Sequence, residues 1–235
     1  DTFHALRLAT KKLHAVFDLT HFCAKKFKQK KTFRSYTLIF RQAGKIRELQ
    51  VEAALLEKHF FFNLPKEYSA DLKKELTAEL EKFHFVTKCK LNQTLEKNYQ
   101  KIIPFLTKIS KKKAQRYMDK KRAKIEKLLR QKTLKNKQIH LLRKQLKEFQ
   151  YNESCLNDDL QRTLVSNRNV LPELLGEWHD YQVTITHLKK IINSGAITTN
   201  ENSQLENITT LFMFKRQLLR KKIQATLSDP LFRKD

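Results

Sequence analysis

The chain has 235 residues, with 49 Lys+Arg against 24 Asp+Glu and a formal net charge of +25. At 40% hydrophobic it can bury a core, so disorder is not the default despite the charge. Three Gly and four Pro are too few to turn a sheet repeatedly, which excludes a β-rich fold and leaves long helices joined by short loops.

Phe3, Leu6, Leu13, Val16, Phe17 and Leu19 recur at helical spacing and predict a first helix to about Phe27. The run Lys25-Lys26-Phe27-Lys28-Gln29-Lys30-Lys31 reads as a loop or a fraying end. Thr32 or Ser35 is placed to cap a second helix, carried by Tyr36, Ile39, Phe40, Ala43, Ile46, Val51, Ala54 and Leu55. Pro65 stops it, just after the Phe60-Phe61-Phe62 run. Ser69 is the expected cap of a third helix that reaches about Tyr99 through Leu72, Leu76, Leu80, Phe83, Val86, Leu91 and Leu95. Pro104 suits the first turn of a fourth, lysine-rich helix through Phe105, Ile109, Tyr117, Ile125 and Leu129. Asn136 marks a break before a fifth helix, from about Lys137 to Val165. Asn169 and Pro172 open a sixth, with Leu174, Leu175, Trp178, Val183, Ile185 and Leu188, ended by Ser194-Gly195. Asn200 to Ser203 precede the last, through Leu205, Ile208, Leu211, Phe214, Leu218 and Ile223. The expected fold class is all-α, with seven helices packed as antiparallel bundles.

Two segments repeat. His4-Ala5-Leu6-Arg7-Leu8-Ala9-Thr10-Lys11 returns as His140-Leu141-Leu142-Arg143-Lys144-Gln145-Leu146-Lys147, with histidine, arginine and lysine at the same offsets. Those offsets put the three side chains on one helix face. Gly44-Lys45-Ile46-Arg47-Glu48-Leu49-Gln50-Val51 follows the first stripe and Gly176-Glu177-Trp178-His179-Asp180-Tyr181-Gln182-Val183 the second, with Gly, an acid, Gln and Val in register. The glycine lies 40 residues after His4 and 36 after His140. The chain therefore reads as an internal duplication, with halves of roughly 1–100 and 101–235 within a single domain. Such halves are expected to face each other across a pseudo-two-fold axis, with the stripes lining a shared groove or pore.

Cys23, Cys89 and Cys155 are few, odd in number and widely spaced, which predicts buried free thiols in a reducing compartment. No apolar run reaches transmembrane length and the start resembles no signal peptide, so the expected location is cytoplasmic, without a membrane partner. The chain opens on Asp1 rather than methionine, which leads to the expectation of further sequence upstream.

The ordered residues carry a resemblance. His4-x-x-Arg7-x-x-x-Lys11-Lys12, followed by Gly44-x-x-Arg47-Glu48-x-x-Val51, resembles the first half of the CHAD domain, a conserved-histidine α-helical domain. His140-x-x-Arg143-Lys144-x-x-Lys147 with Tyr151, then Leu175-Gly176-x-x-x-Asp180, resembles its second half. The resemblance covers almost the whole chain. It implies two pseudo-symmetric helical bundles around a basic central cavity that binds inorganic polyphosphate, without catalysis and without a cofactor. By the same resemblance the binding set is His4, Arg7, Lys11, Lys12, Arg47, His140, Arg143, Lys144 and Lys147, with Lys112, Arg116 and Lys120 from the lysine-rich helix. The chain departs from the family where arginine is common and His14 and Gln150 stand here. It has Arg47-Glu48 in place of Arg-Asp, and His179-Asp180 in place of Asn-Asp. The ExExK signature of the triphosphate-hydrolase domain that often accompanies this family is absent.

The chemistry of the stripes fits a polyanion. Arg7 and Arg143 offer planar forks that bridge two oxygens, and Lys11, Lys12, Lys144 and Lys147 offer point charges; a merely solvated basic face is the plainer alternative. His4 and His140 can donate to phosphate, or serve as structural residues, or ligate a metal. Metal ligation is disfavoured because the i+3 and i+4 neighbours are not carboxylates or thiols and cations surround both rings. Glu48 and Asp180 read as orienters of basic side chains or as ion-pair partners. Trp178, Phe40, Phe83 and the Phe60 to Phe62 cluster read as core, the triple phenylalanine alternatively as an exposed contact. No Ser/His/Asp arrangement, Gly-rich phosphate loop or metal triad occurs, so no catalytic residue is expected. The leading partner is inorganic polyphosphate, with association to polyphosphate granules. A helical protein that holds the phosphate backbone of nucleic acid is the alternative, less favoured because no recognised DNA or RNA motif occurs.

Overall fold

A computed structural model describes residues 2–60, 64–88, 91–131, 133–156, 170–195 and 197–228. Among these the chain is all-α, with eight helices: α1 (Thr2–Cys23), α2 (Gln29–Phe60), α3 (Lys66–Lys88), α4 (Leu91–Leu106), α5 (Lys111–Leu129), α6 (Asn136–Glu153), α7 (Val170–Ser194) and α8 (Thr199–Ser228). Their boundaries correct the expected ones in physical terms. The expected third helix is covered by α3 and by α4 on either side of residues 89 and 90, which lie outside the described residues, and its helical course continues past Tyr99 to Leu106. Pro104 lies in the last turn of α4; Ser110 starts α5 instead, its hydroxyl accepting from the Lys113 amide. Thr32 does not cap α2, because its hydroxyl donates back to the Lys28 carbonyl from within the helix. Ser69 does not cap α3 either: the Glu201 carboxylate of α8 accepts the Glu67 and Tyr68 amides at 2.8 and 2.9 Å. The first helix stops at Cys23 and α6 at Glu153; Val165, the expected end of the latter, lies outside the described residues. Gly195, at φ 66°, ends α7 as expected. Asn200 to Ser203 fall inside α8 rather than before it.

The chain divides into two compact units, one of Asp1–Gly44 and Phe83–Arg168, the other of Lys45–Lys82 and Asn169–Asp235. Each draws on both of the expected halves. The long helices α2 and α3 contribute to both units.

In the first unit α1, α5 and α6 pack on one another. Phe17, Phe27 and Ile102 form a buried cluster flanked by Leu13, Phe33, Tyr36 and Phe105. Phe22 of α1 meets Tyr117 of α5 with ring centroids 5.3 Å apart, and Lys113 donates to the Cys23 carbonyl at 3.1 Å. In the second unit α7 packs along α8, with Trp178, Leu175, Leu188, Leu205, Ile208, Phe212 and Ile223 buried. Trp178 is core as expected, whereas Phe40 and Phe83 are half-buried. Phe60 packs on Phe212 at 6.0 Å, while Phe61 and Phe62 lie outside the described residues. Cys23 is a buried free thiol whose pKa burial pushes up. Cys155 is exposed, contrary to expectation, since it follows the end of α6; Cys89 is outside the described residues.

Candidate functional site

α1 and α6 place their cations by the same rule. On α6 the core positions are Ile139, Leu142 and Leu146, and His140, Arg143 and Lys147 each follow one of them by a single residue. On α1 the inward positions are Phe3, Leu6 and Thr10, and His4, Arg7 and Lys11 follow by the same step. One residue turns about 100° around a helix. Each stripe therefore runs along the edge of the core-facing side, not along the opposite, solvent side. Accordingly Arg7, Lys11, Arg143 and Lys147 are half-buried, while His4, Lys12, His140 and Lys144 are exposed.

α5 adds Lys112, Arg116 and Lys120, spaced four residues apart and exposed, while Ala114, Tyr117, Met118, Ile125 and Leu128 face its core. The Lys120 ammonium lies 5.0 Å from the centroid of the Phe22 ring of α1. Eleven of the twelve expected binding residues thus lie on three mutually packed helices of the first unit. The twelfth, Arg47, is half-buried on α2 within the second unit.

The cations of α6 act on each other. Burial, then Arg143 and Lys144, depress the pKa of His140. Burial, then Arg143, depress that of Lys147. Burial raises the Tyr151 hydroxyl, and Arg143 partly opposes it. Arg143 is the common perturber, and the stripe is a crowded row of like charge that a bound anion would relieve. Lys121 is different: it meets Glu148 of α6 at 2.5 Å. Near it, burial raises the Asp18 pKa, but the His14 hydrogen bond and its charge, with Glu148 and Lys121, hold the carboxyl below its usual value. His14, at one of the departures from the family, stands 3.4 Å from Asp18 and edge-on to Phe33, which is a structural role.

Arg7 explains the first repeated glycine. Its guanidinium lies over the Phe40 ring at 5.0 Å and donates to the Phe40 carbonyl at 3.4 Å. A Cβ on Gly44 would stand 2.2 Å from Arg7 Nη1, so glycine is what lets the guanidinium lie against α2. At Gly176 a Cβ would meet nothing within 4 Å among the described residues. The two glycines align in sequence without sharing that packing.

The second unit holds a network that the sequence did not reveal. Glu52, 2% exposed, accepts from the Tyr68 hydroxyl and from His187 Nδ1 at 2.6 Å; Glu75 stands 3.6 Å from His187 Nε2. Burial and the Glu52 charge push the Tyr68 pKa far up. The Glu52 hydrogen bond raises the His187 pKa against burial, helped by the charges of Glu52 and Glu75. Glu52, Glu75 and His187 border a cleft of about 480 Å3 that Glu48, Glu79, Lys45 and Lys190 also line. The signal was present but faint: Glu52 stands on the core stripe between Leu49 and Leu56, where a carboxylate needs a buried partner. His187 lies 135 residues further along the chain and Tyr68 lies 16. Asp180, the expected counterpart of Glu48, is half-buried on α7.

Among the described residues no group of three His, Cys, Asp or Glu is arranged to hold a metal ion, and no helix is long and apolar enough to cross a membrane. Neither the curated proteins nor the solved structures include a match to the chain. A family profile described as CHAD domain matches residues 1–189, taking in all of α1 to α6 and most of α7, and the chain belongs to that family.

Proposed function

We propose that the protein binds inorganic polyphosphate along the α1, α5 and α6 stripes and catalyses no reaction on it. The observation that carries this reading is the register: two His/Arg/Lys rows, each one residue past the core row, on helices that pack together and against a third basic helix. A polyphosphate chain presents closely spaced anionic oxygens along a line. Rows of half-buried arginine and lysine flanked by exposed lysine suit it better than a single cage would. Membership of a family associated with polyphosphate supports the same reading. The duplication into halves of about 1–100 and 101–235, and a basic cavity lined by both stripes, belong to this proposal, as do a cytoplasmic location and association with polyphosphate granules.

The net charge of +25 also favours nucleic acid as ligand. Competition separates the two. Labelled long-chain polyphosphate is bound to the protein, and duplex DNA or single-stranded RNA is added up to an equal phosphate concentration. The reading expects polyphosphate to stay bound. Displacement by DNA at equal phosphate would sink it. Salt slope alone decides nothing, since both polyanions release counterions on binding.

A further inference from the structure

The lysine-rich link between α1 and α2 lies outside the stripes. Within the first unit it borders a cleft of about 690 Å3. Lys26, Lys28, Lys31 and Arg34 line it from the link and the first turns of α2, and Lys101 from α4; the residues lining it include no carboxylate. Its apolar wall is fixed rather than adaptable. Phe27 is 2% exposed, belongs to the buried Phe17 and Ile102 cluster, and packs on Phe105 with centroids 5.4 Å apart.

Asn98 of α4 lines the same cleft. Its side chain is 4% exposed and its Nδ2 has no hydrogen-bond partner among the described residues. Burial raises the pKa of the nearby Tyr36 hydroxyl, and the Asn98 amide beside it partly opposes that. A buried amide donor without an acceptor is costly unless something fills the role. Five cations and one such donor around a rigid aromatic wall suit a compact oxyanion.

We propose that this cleft is a second phosphate-binding site, which takes a short phosphate such as tripolyphosphate, or the terminal units of a longer chain. The cations supply charge-assisted hydrogen bonds and Asn98 donates from the wall. The proposal does not depend on the stripes binding polyphosphate.

Calorimetric titration with tripolyphosphate tests it on the full chain. Lys31→Ala/Arg34→Ala changes two exposed residues, and Asn98→Asp replaces the donor by an acceptor of the same shape. Lys189→Ala/Lys222→Ala, in the second unit, removes the same charge as the first variant. The expected result is a class of tripolyphosphate sites that weakens at least tenfold in Lys31→Ala/Arg34→Ala and in Asn98→Asp, but not in the charge-matched control or in Arg143→Ala. Should Asn98→Asp fail to fold, the exposed double variant decides alone. Unchanged binding in Lys31→Ala/Arg34→Ala, or loss of every tripolyphosphate site in Arg143→Ala, would overturn the proposal. A cleft class that survives while the stripe variants bind long polyphosphate normally would fault the stripe reading and not this one. Displacement of cleft-bound tripolyphosphate by long-chain polyphosphate, in proportion to its chain ends, would assign terminal units; no displacement would assign free short phosphates.

Discussion

The two repeated glycines make a paired experiment. Alanine is about 0.8–1.0 kcal/mol more favourable than glycine inside a helix. At Gly176 a Cβ meets nothing within 4 Å among the described residues, so Gly176→Ala should stabilise by about that amount and raise the Tm by about 2–4 °C for a chain of this size. At Gly44 the new Cβ would stand 2.2 Å from Arg7 Nη1, and the guanidinium must swing away. It then gives up its hydrogen bond to the Phe40 carbonyl, about 0.5–1.5 kcal/mol net. It also leaves the Phe40 ring, about 0.5–1 kcal/mol. The losses total about 1–2.5 kcal/mol against a helix gain of about 1 kcal/mol, so Gly44→Ala should be neutral to moderately destabilising. In an Arg7→Ala background the obstacle is gone, and the same change should stabilise by about 1 kcal/mol. Urea unfolding of the four proteins in the Arg7/Gly44 cycle measures the coupling. A Gly44→Ala gain equal to that of Gly176→Ala, with coupling below about 0.5 kcal/mol, would refute the packing of Arg7 over α2.

Two further outcomes concern histidines. His187 has a folded pKa raised by its Glu52 hydrogen bond, so it contributes stability that is complete below the unfolded value near 6.5 and is lost as pH rises through the folded value. His187→Gln should flatten that part of the stability–pH curve and cost about 3 kcal/mol below pH 6, because Glu52 is left buried with one partner fewer; a parallel curve would exclude the ion pair. Burial, then Arg143 and Lys144, disfavour the charged form of His140 and depress its pKa. A polyanion at the stripe should raise that pKa, so binding should tighten and take up protons as pH falls through about 6.5. Calorimetry in two buffers of different ionisation enthalpy reads the uptake, and none in wild type or an unchanged uptake in His140→Gln would remove His140 from the site.

The all-α class and the two basic stripes were legible because both rest on local periodicity. A helix carries its own registry, so the offsets of His4, Arg7 and Lys11 already fixed their common face. The ends of helices were less legible where competing groups decide. Thr32 turned its hydroxyl inward to Lys28, and a carboxylate from α8 displaced Ser69 as the cap of α3. Ser110 overrode Pro104 because a capping hydroxyl satisfies an amide that proline at a first turn merely lacks. The interleaving of units was not legible at all. It depends on α2 passing from one compact unit to the other at Gly44, inside an unbroken helix. One consequence is that both His/Arg/Lys rows fall in the first unit, while Glu48 to Val51 and the whole second glycine motif fall in the second. The Glu52–Tyr68–His187 network was hidden for the same reason, since its members meet only through tertiary packing.

The central claim is that position, not charge alone, makes the α1 and α6 rows a polyphosphate site. The most direct measurement compares long-chain polyphosphate affinity in Arg7→Ala/Arg143→Ala with that in Lys189→Ala/Lys222→Ala, at one salt concentration. Both variants remove two positive charges. Each charged hydrogen bond lost is worth about 1.5–3 kcal/mol, so the arginine pair should weaken binding on the order of a hundredfold or more. The lysine pair should change it by no more than about threefold, as expected for exposed charges that belong to neither row. Equal losses in the two variants would contradict the account and leave only a basic surface.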